Sequence, residues 1–144
     1  MATVSDVLRS KAKSEIYSVQ PSAKILDAIK LLAEKGVGAL VVIDDGKLVG
    51  IVSERDYARK VVLMARSSHT AEVRDIMTAD VICVDPLQTV EHCLEVMTER
   101  RLRHLPVLEA GTLIGLVSIG DLVKTIITEQ QRLIRQLEGY IRGE

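Results

Sequence analysis

The chain has 144 residues, 47% of them hydrophobic and 27% charged, and a net charge of −1. That size and balance describe a soluble globular protein with enough apolar residues for a core of its own, and they exclude a protein held to DNA or anionic membrane by bulk attraction. Three tyrosines are the only aromatics, which excludes the stacking platforms of single-stranded nucleic-acid binders.

No apolar run approaches the roughly 20 residues that a membrane-spanning helix needs. Residues 1–11 mix Asp and Arg with apolar side chains and do not read as a signal peptide. The expectation is a cytoplasmic protein with neither nucleic acid nor membrane as partner.

Residues 3–9 read as a short amphipathic lead-in, followed by a polar loop at 10–15. Ile16-Tyr17-Ser18-Val19 alternates and stops at Pro21, the pattern of a short edge strand. Ile25, Ile29 and Leu32 recur at helical spacing, which predicts a helix over 22–35 that Gly36 ends in a left-handed conformation. Residues 37–43 are a nearly unbroken apolar run, fitting a strand covered on both faces. Asp45-Gly46 then turns the chain into a second strand at 48–52, which makes a hairpin. A helix is expected from Ser53 to about Arg66, then a polar link at 67–71.

The order then returns. Residues 73–78 echo the lead-in, 81–84 form a strand, and Pro86 answers Pro21. Thr89 caps a helix with Val90, Cys93, Leu94 and Met97 on its buried face. Residues 105–108 and 113–117 are hairpin strands turning at Gly111, and a last helix starts at Ser118.

This is an internal duplication. Residues 46–56 return at 111–121 with six of eleven positions identical, and 19–57 align with 84–122 without a gap, eleven of 39 identical. The lead-in echo has a different offset, 69 instead of 65. Each half reads strand–helix–strand–strand–helix, an α/β (α+β) unit whose core alone is marginal. Two such units packed sheet to sheet would form a pseudo-twofold module with two related clefts. The predicted divisions are a first repeat with its lead-in at 1–66, a linker at 67–72, a second repeat at 73–130 and a helical extension at 131–144.

In both copies a strand ends in Ser, and Asp follows three residues later at a helix start. Ser-x-x-Asp fits a capping box, which needs no ligand at all. The same geometry suits a nucleotide. Free amides and the positive helix end favour phosphate, the hydroxyl adds a donor, and the carboxylate can accept both hydroxyls of a ribose. Cations stand near each copy. Arg55, Arg59 and Lys60 follow the first Ser, and Arg100, Arg101, Arg103 and His104 precede the strand at Leu105. At matched positions the first half has Lys35, Gly36, Gly38 and Ala39, so the two clefts are not equivalent. Arg55, Arg103 and His104, close to the cap or the strand entry, are candidate nucleotide ligands, and Lys11, Arg59 and Lys60 candidate phosphate contacts; a solvated charge is the simpler account of Lys11, Arg100 and Arg101.

The chain resembles tandem CBS-domain proteins, the paired Bateman module, and in particular a stand-alone bacterial subset. Val19-x-Pro21, Gly50-Ile51-Val52-Ser53-x-x-Asp56, Arg103-His104-Leu105-Pro106-Val107 and Gly115-Leu116-Val117-Ser118-x-x-Asp121 carry the resemblance, which covers roughly 5–130. It implies binding of an adenine nucleotide: AMP first, with ADP, ATP or NAD as other candidates. By the family motif Asp56 and Asp121 hold ribose hydroxyls, and Ser53 and Ser118 contact ribose or phosphate. Ser18, Val19, Cys83 and Val84 line the base with Leu40, Val41, Leu105 and Pro106. This sequence departs from the pattern in having Ser where many members have Thr, Val41 against Pro106, and Cys83 against Ser18.

No catalytic or metal site is expected. There is no P-loop, GxSxG or HExxH, and His69, His92 and His104 form no evident set with a nucleophile. Cys83 and Cys93 lack zinc spacing and read as reduced, mostly buried thiols. Beyond the second repeat, Val123, Ile126, Leu133, Leu137 and Tyr140 continue an apolar seam flanked by Ile127, Ile134 and Ile141. Such a seam either packs on a second copy, making a homodimer, or folds back on its own module. The expected function is that of a regulatory nucleotide sensor read by an effector protein; the alternative is a structural, oligomerising module with empty clefts.

Overall fold

A computed structural model describes residues 1–11, 16–63 and 70–143. His69, the last turn expected up to Arg66 and the start of the linker lie outside the described residues. In order the elements are α1 (Val4–Ser10), β1 (Ser18–Val19), α2 (Ile25–Lys35), β2 (Ala39–Asp44), β3 (Lys47–Ser53), α3 (Glu54–Asp56) running into a π-helical segment (Tyr57–Val62), α4 (Val73–Ile76), α5 (Val90–Arg100), β4 (His104–Glu109), β5 (Thr112–Ser118) and α6 (Ile119–Arg142). The mixed α/β class is as the sequence predicts, and so is the repeated order except for the strand expected at 81–84.

The chain forms two compact units, and each draws on both repeats. One is Glu15–Ile82; the other joins Met1–Ser14 to Cys83–Glu144. The cause is a reciprocal exchange of lead-ins. Val73 and Arg74 at the start of α4 donate amides to the Ala23 and Pro21 carbonyls, and the Ile25 amide donates to Ala71. At the equivalent places Val4 and Ser5 of α1 donate to Gln88 and Pro86, and Val90 donates to Ala2. Each lead-in therefore docks on the copy it does not precede.

Glycines make room for this docking. A Cβ on Gly50 would lie 2.6 Å from the Met77 sulfur and 3.1 Å from the Thr78 carbonyl oxygen. A Cβ on Gly115 would lie 2.6 Å from a Leu8 methyl. Glycine inside a strand marks this kind of close approach.

In the Glu15–Ile82 unit the sheet order is β1-β2-β3, with β1 parallel to β2 and β2 antiparallel to β3. The hairpin turns at Asp45 (φ 51°) and Gly46 (φ 77°), both left-handed, as a tight two-residue loop requires. Helix α2 begins at Ile25, three residues later than expected, because Lys24 is bridged to Glu72 in an extended pairing. It ends at Gly36 in the left-handed conformation foreseen. Ile25, Ala28, Leu32, Leu40, Val42, Val52, Val61, Val73 and Ile76 form the core.

The other unit repeats the plan with one loss. β4 and β5 form a hairpin turning at Ala110 and Gly111, but residues 81–84 make no strand, only a single parallel bridge from Val84 to Val107. In the first copy the Val41 amide donates to the Tyr17 carbonyl in this ladder. The equivalent of Val41 is Pro106, which has no amide hydrogen, so that rung cannot form. Val84 keeps the two remaining bonds, donating to Pro106 and accepting from Leu108. Val4, Val7, Val84, Val90, Cys93, Met97, Leu105, Val107, Val117 and Leu122 are buried in this unit.

Helix α6 runs without a break from the second repeat through the extension. Beyond Glu129 it turns every apolar side chain outward: Leu133, Ile134, Leu137, Tyr140 and Ile141 are 49–85% exposed. The seam does not fold back on its own unit.

Candidate functional site

Both Ser-x-x-Asp pairs sit where a strand passes into a helix, and both form complete capping boxes. In the first, the Ser53 hydroxyl oxygen accepts from the Asp56 amide at 3.2 Å, and Asp56 Oδ2 accepts from the Ser53 amide at 2.9 Å and its hydroxyl at 3.0 Å. In the second, the Ser118 hydroxyl accepts from the Asp121 amide at 3.1 Å, and Asp121 Oδ2 accepts from the Ser118 amide at 2.9 Å. The capping account is therefore correct for both copies. It leaves lone pairs on each carboxylate, and each side chain keeps surface: 17% for Asp56 and 25% for Asp121.

Each carboxylate also has a lysine, from a different source. Lys60, one turn on, lies 3.6 Å from Asp56 Oδ1 and donates to the Ile76 carbonyl at 2.9 Å. Lys11, just past α1, lies 3.0 Å from Asp121 Oδ2 and donates to the Leu116 carbonyl at 2.7 Å. Lys11 is thus no solvated loop charge, and its side chain is only 25% exposed. The i,i+4 spacing of Asp56 and Lys60 is a readable pairing signal; nothing in the local sequence announces Lys11 with Asp121, 110 residues apart. Burial raises the Asp121 carboxyl, but the Ser118 amide and the Lys11 ammonium outweigh it and hold the group below the usual value of 3.8. Asp121 is thereby an anion at neutral pH.

The remaining candidates divide. His104 pairs directly with Ser118 across the β4–β5 ladder, and the Arg103 carbonyl accepts from the Ile119 amide, so both border the second cap. Their counterparts are Ala39, paired with Ser53, and Gly38, whose carbonyl accepts from Glu54. Only the second cap is flanked by ionisable residues at these positions. Arg55 is half-buried beside the first cap, and Arg59 is exposed. Ser18 and Val19 pair with Val41 and Val42 in the parallel ladder.

Leu40, Val41 and Leu105 are fully buried, Val84 nearly so, and Pro106 is buried. Leu40 belongs to the packed core of the Glu15–Ile82 unit, and Val41, equally buried, lies outside that cluster. Cys83 and Val84 line an open depression of about 450 Å3 with Asp85, Leu87, Gln88 and Leu108; neither Ser118 nor Asp121 borders it. Burial pushes both thiols up, so Cys83 and Cys93 stay protonated at neutral pH. Among the described residues no cluster of His, Cys, Asp and Glu has metal-site geometry, and no helix is long and apolar enough to cross a membrane.

The CBS-domain family model matches residues 3–63 and again 73–128. The chain belongs to the CBS-domain family. The two matches are the two repeats, each beginning at its lead-in. A mitochondrial CBS domain-containing protein of Arabidopsis thaliana is 40% identical, over 98% of this chain and 72% of its own. A solved CBS-domain protein of Burkholderia ambifaria, described as a candidate signal-transduction protein, is 54% identical with a TM-score of 0.87, covering 90% of this chain and 96% of that one. The CBS domain pair of protein MJ0100, solved in complex with 5′-methylthioadenosine and S-adenosyl-L-methionine, shares the fold at 24% identity and TM-score 0.76, over 90% and 98% of the two chains.

Proposed function

We propose that this CBS pair is a regulatory sensor that binds an adenine nucleotide through Ser53 and Asp56 in one copy and Ser118 and Asp121 in the other. AMP is the first candidate, with ADP, ATP or NAD as others. The observation that carries the reading is the repeated cap itself: a partly exposed carboxylate and a hydroxyl at a helix start, each with an ammonium alongside. Carboxylate lone pairs suit a ribose diol, and a lysine suits a phosphate. A CBS pair of the same fold holding adenosine derivatives supports the ligand class. Binding would favour one arrangement of the protein, which an effector protein reads. The nucleotide is not turned over.

The outward face of α6 supports a homodimer. Its apolar residues Ile127, Leu133, Ile134, Leu137, Tyr140 and Ile141 are about half or more exposed and form a continuous stripe of the kind that marks an interface. A second copy of this chain is the occupant, because it brings an identical seam.

Titration calorimetry with AMP, ATP and NAD tests the sensor reading, together with mass spectrometry of small molecules carried through purification. Heat with at least one adenylate is the expected result, and ATP should be recovered unchanged after incubation. The second reading is a structural module, favoured by the capping bonds that occupy both Ser-Asp pairs without any ligand. It predicts no heat with any nucleotide.

A further inference from the structure

We propose that Lys11 makes the Asp121 site selective for phosphorylated nucleosides, because a ribose seated on the carboxylate competes with the ammonium already paired to it, and a phosphate gives that ammonium a second anion. The inference rests on the nucleotide-binding reading above and adds the property that divides one class of adenosine ligand from another.

The geometry is specific. Lys11 Nζ lies 3.0 Å from Asp121 Oδ2, the same oxygen that accepts the Ser118 amide at 2.9 Å. It also donates to the Leu116 carbonyl at 2.7 Å. Both side chains are three-quarters buried, so the ion pair is only partly screened. A vicinal diol brings hydrogen-bond donors but no charge. Seating it on Asp121 weakens the pair and leaves a largely desolvated ammonium with a carbonyl for company, an unfavourable state.

A ligand that carries a phosphate as well as the diol removes this obstacle. The flexible four-carbon stem lets the ammonium swing from carboxylate to phosphate while the hydroxyls replace it on Asp121. One negative partner is exchanged for another, and no charge is stranded. A neutral nucleoside, or a sulfonium ligand that adds a second positive centre, gains no such exchange. In the first copy the pair is looser, 3.6 Å and to Asp56 Oδ1, away from the oxygen the cap uses. Selection there is accordingly weaker.

The test is calorimetric titration of the full chain with AMP and with adenosine, in wild type and in Lys11→Gln, each also in an Asp56→Asn background so that only the Asp121 site reports. The expected wild-type preference for AMP is about tenfold or more. In K11Q the ratio falls to within about threefold, with adenosine binding unchanged or tighter. Lys11→Arg restores the preference. Equal wild-type affinity for the two ligands, or a K11Q protein that keeps the preference, overturns the proposal. Wild type giving heat with neither ligand overturns the nucleotide reading itself, and selectivity falls with it. A thermal melt of K11Q with a wild-type-like transition shows that any change in ratio comes from the site.

Discussion

The two copies of the repeated stretch share a cap and differ in almost everything that surrounds it. Ser53–Asp56 and Ser118–Asp121 have the same reciprocal hydrogen bonds, with lengths matching to about 0.1 Å. Yet Asp56 takes its lysine from its own helix and Asp121 from a lead-in 110 residues away. The first helix is three α-residues passing into a π segment; the second is a 24-residue helix. Duplication preserved what four consecutive residues build locally. Charge and length, which depend on distant or later residues, diverged. The cap belongs to the repeat, while the electrostatics belong to each site.

The sharpest way to break this comparison is at the docking glycines. Gly50→Ala meets a backbone oxygen, the Thr78 carbonyl, which is fixed by its bridge to Ile51. Gly115→Ala meets only the Leu8 side chain, which can rotate away. Gly50→Ala should cost about 1–3 kcal/mol, and Gly115→Ala clearly less. Denaturant melts check the order; equal losses would show that the two lead-ins are held alike.

A second contrast is at the helix ends. Gly36 and Arg101 are equivalent, and both are left-handed, with φ 65° and 56°. Arginine is strained there and glycine is not, so Arg101→Gly should stabilise the protein by about 1 kcal/mol. A melting temperature that does not rise would mean that the Arg101 side chain supplies compensating contacts.

Asp121 gives a pH signature. Its folded carboxyl is held below 3.8, so its stabilisation is complete above that value and is lost as pH falls through the lower folded value. Wild type and Asp121→Asn should keep a constant stability gap from neutral pH to about 4. The gap should close only in more acidic solution. Acid-melt series of the two proteins check it, and a gap that closes already near neutrality contradicts the Lys11–Asp121 pairing.

The smallest expected effect concerns Pro106. Pro106→Val returns an amide to the position where Val41 donates to Tyr17, and should lengthen the bridge at Val84 into a two- or three-residue strand. One regained hydrogen bond is worth about 1 kcal/mol or less. Slow amide exchange at residue 106 is the readout, and rapid exchange would mean that something besides the missing donor limits this strand.

Much of this was legible beforehand. The 65-residue offset, the Asp45-Gly46 turn, the Gly36 stop and both Ser caps are local signals with local causes. The lead-in exchange was not legible, because a 69-residue offset reveals a repeat and not the copy it docks on. Gly50 and Gly115 carried a hint, since glycine in mid-strand implies a close neighbour. The strand expected at 81–84 failed for a reason already visible in the departure of Pro106 from Val41. The apolar residues expected to line the base, Leu40, Val41 and Leu105, read equally well as pocket wall or as core, and periodicity does not separate the two. All three are fully buried, and of the first two only Leu40 belongs to the packed cluster of its unit.

The central claim is that the capping carboxylates do a second job on a ribose. Calorimetry of AMP against wild type and Asp121→Ala tests it most directly. The account predicts that one site weakens by about 1–3 kcal/mol, roughly ten- to a hundredfold, while the Asp56 site keeps its affinity. An Asp121→Ala protein that melts at lower temperature yet binds AMP as wild type does would contradict it, and would leave Asp121 a cap and nothing more.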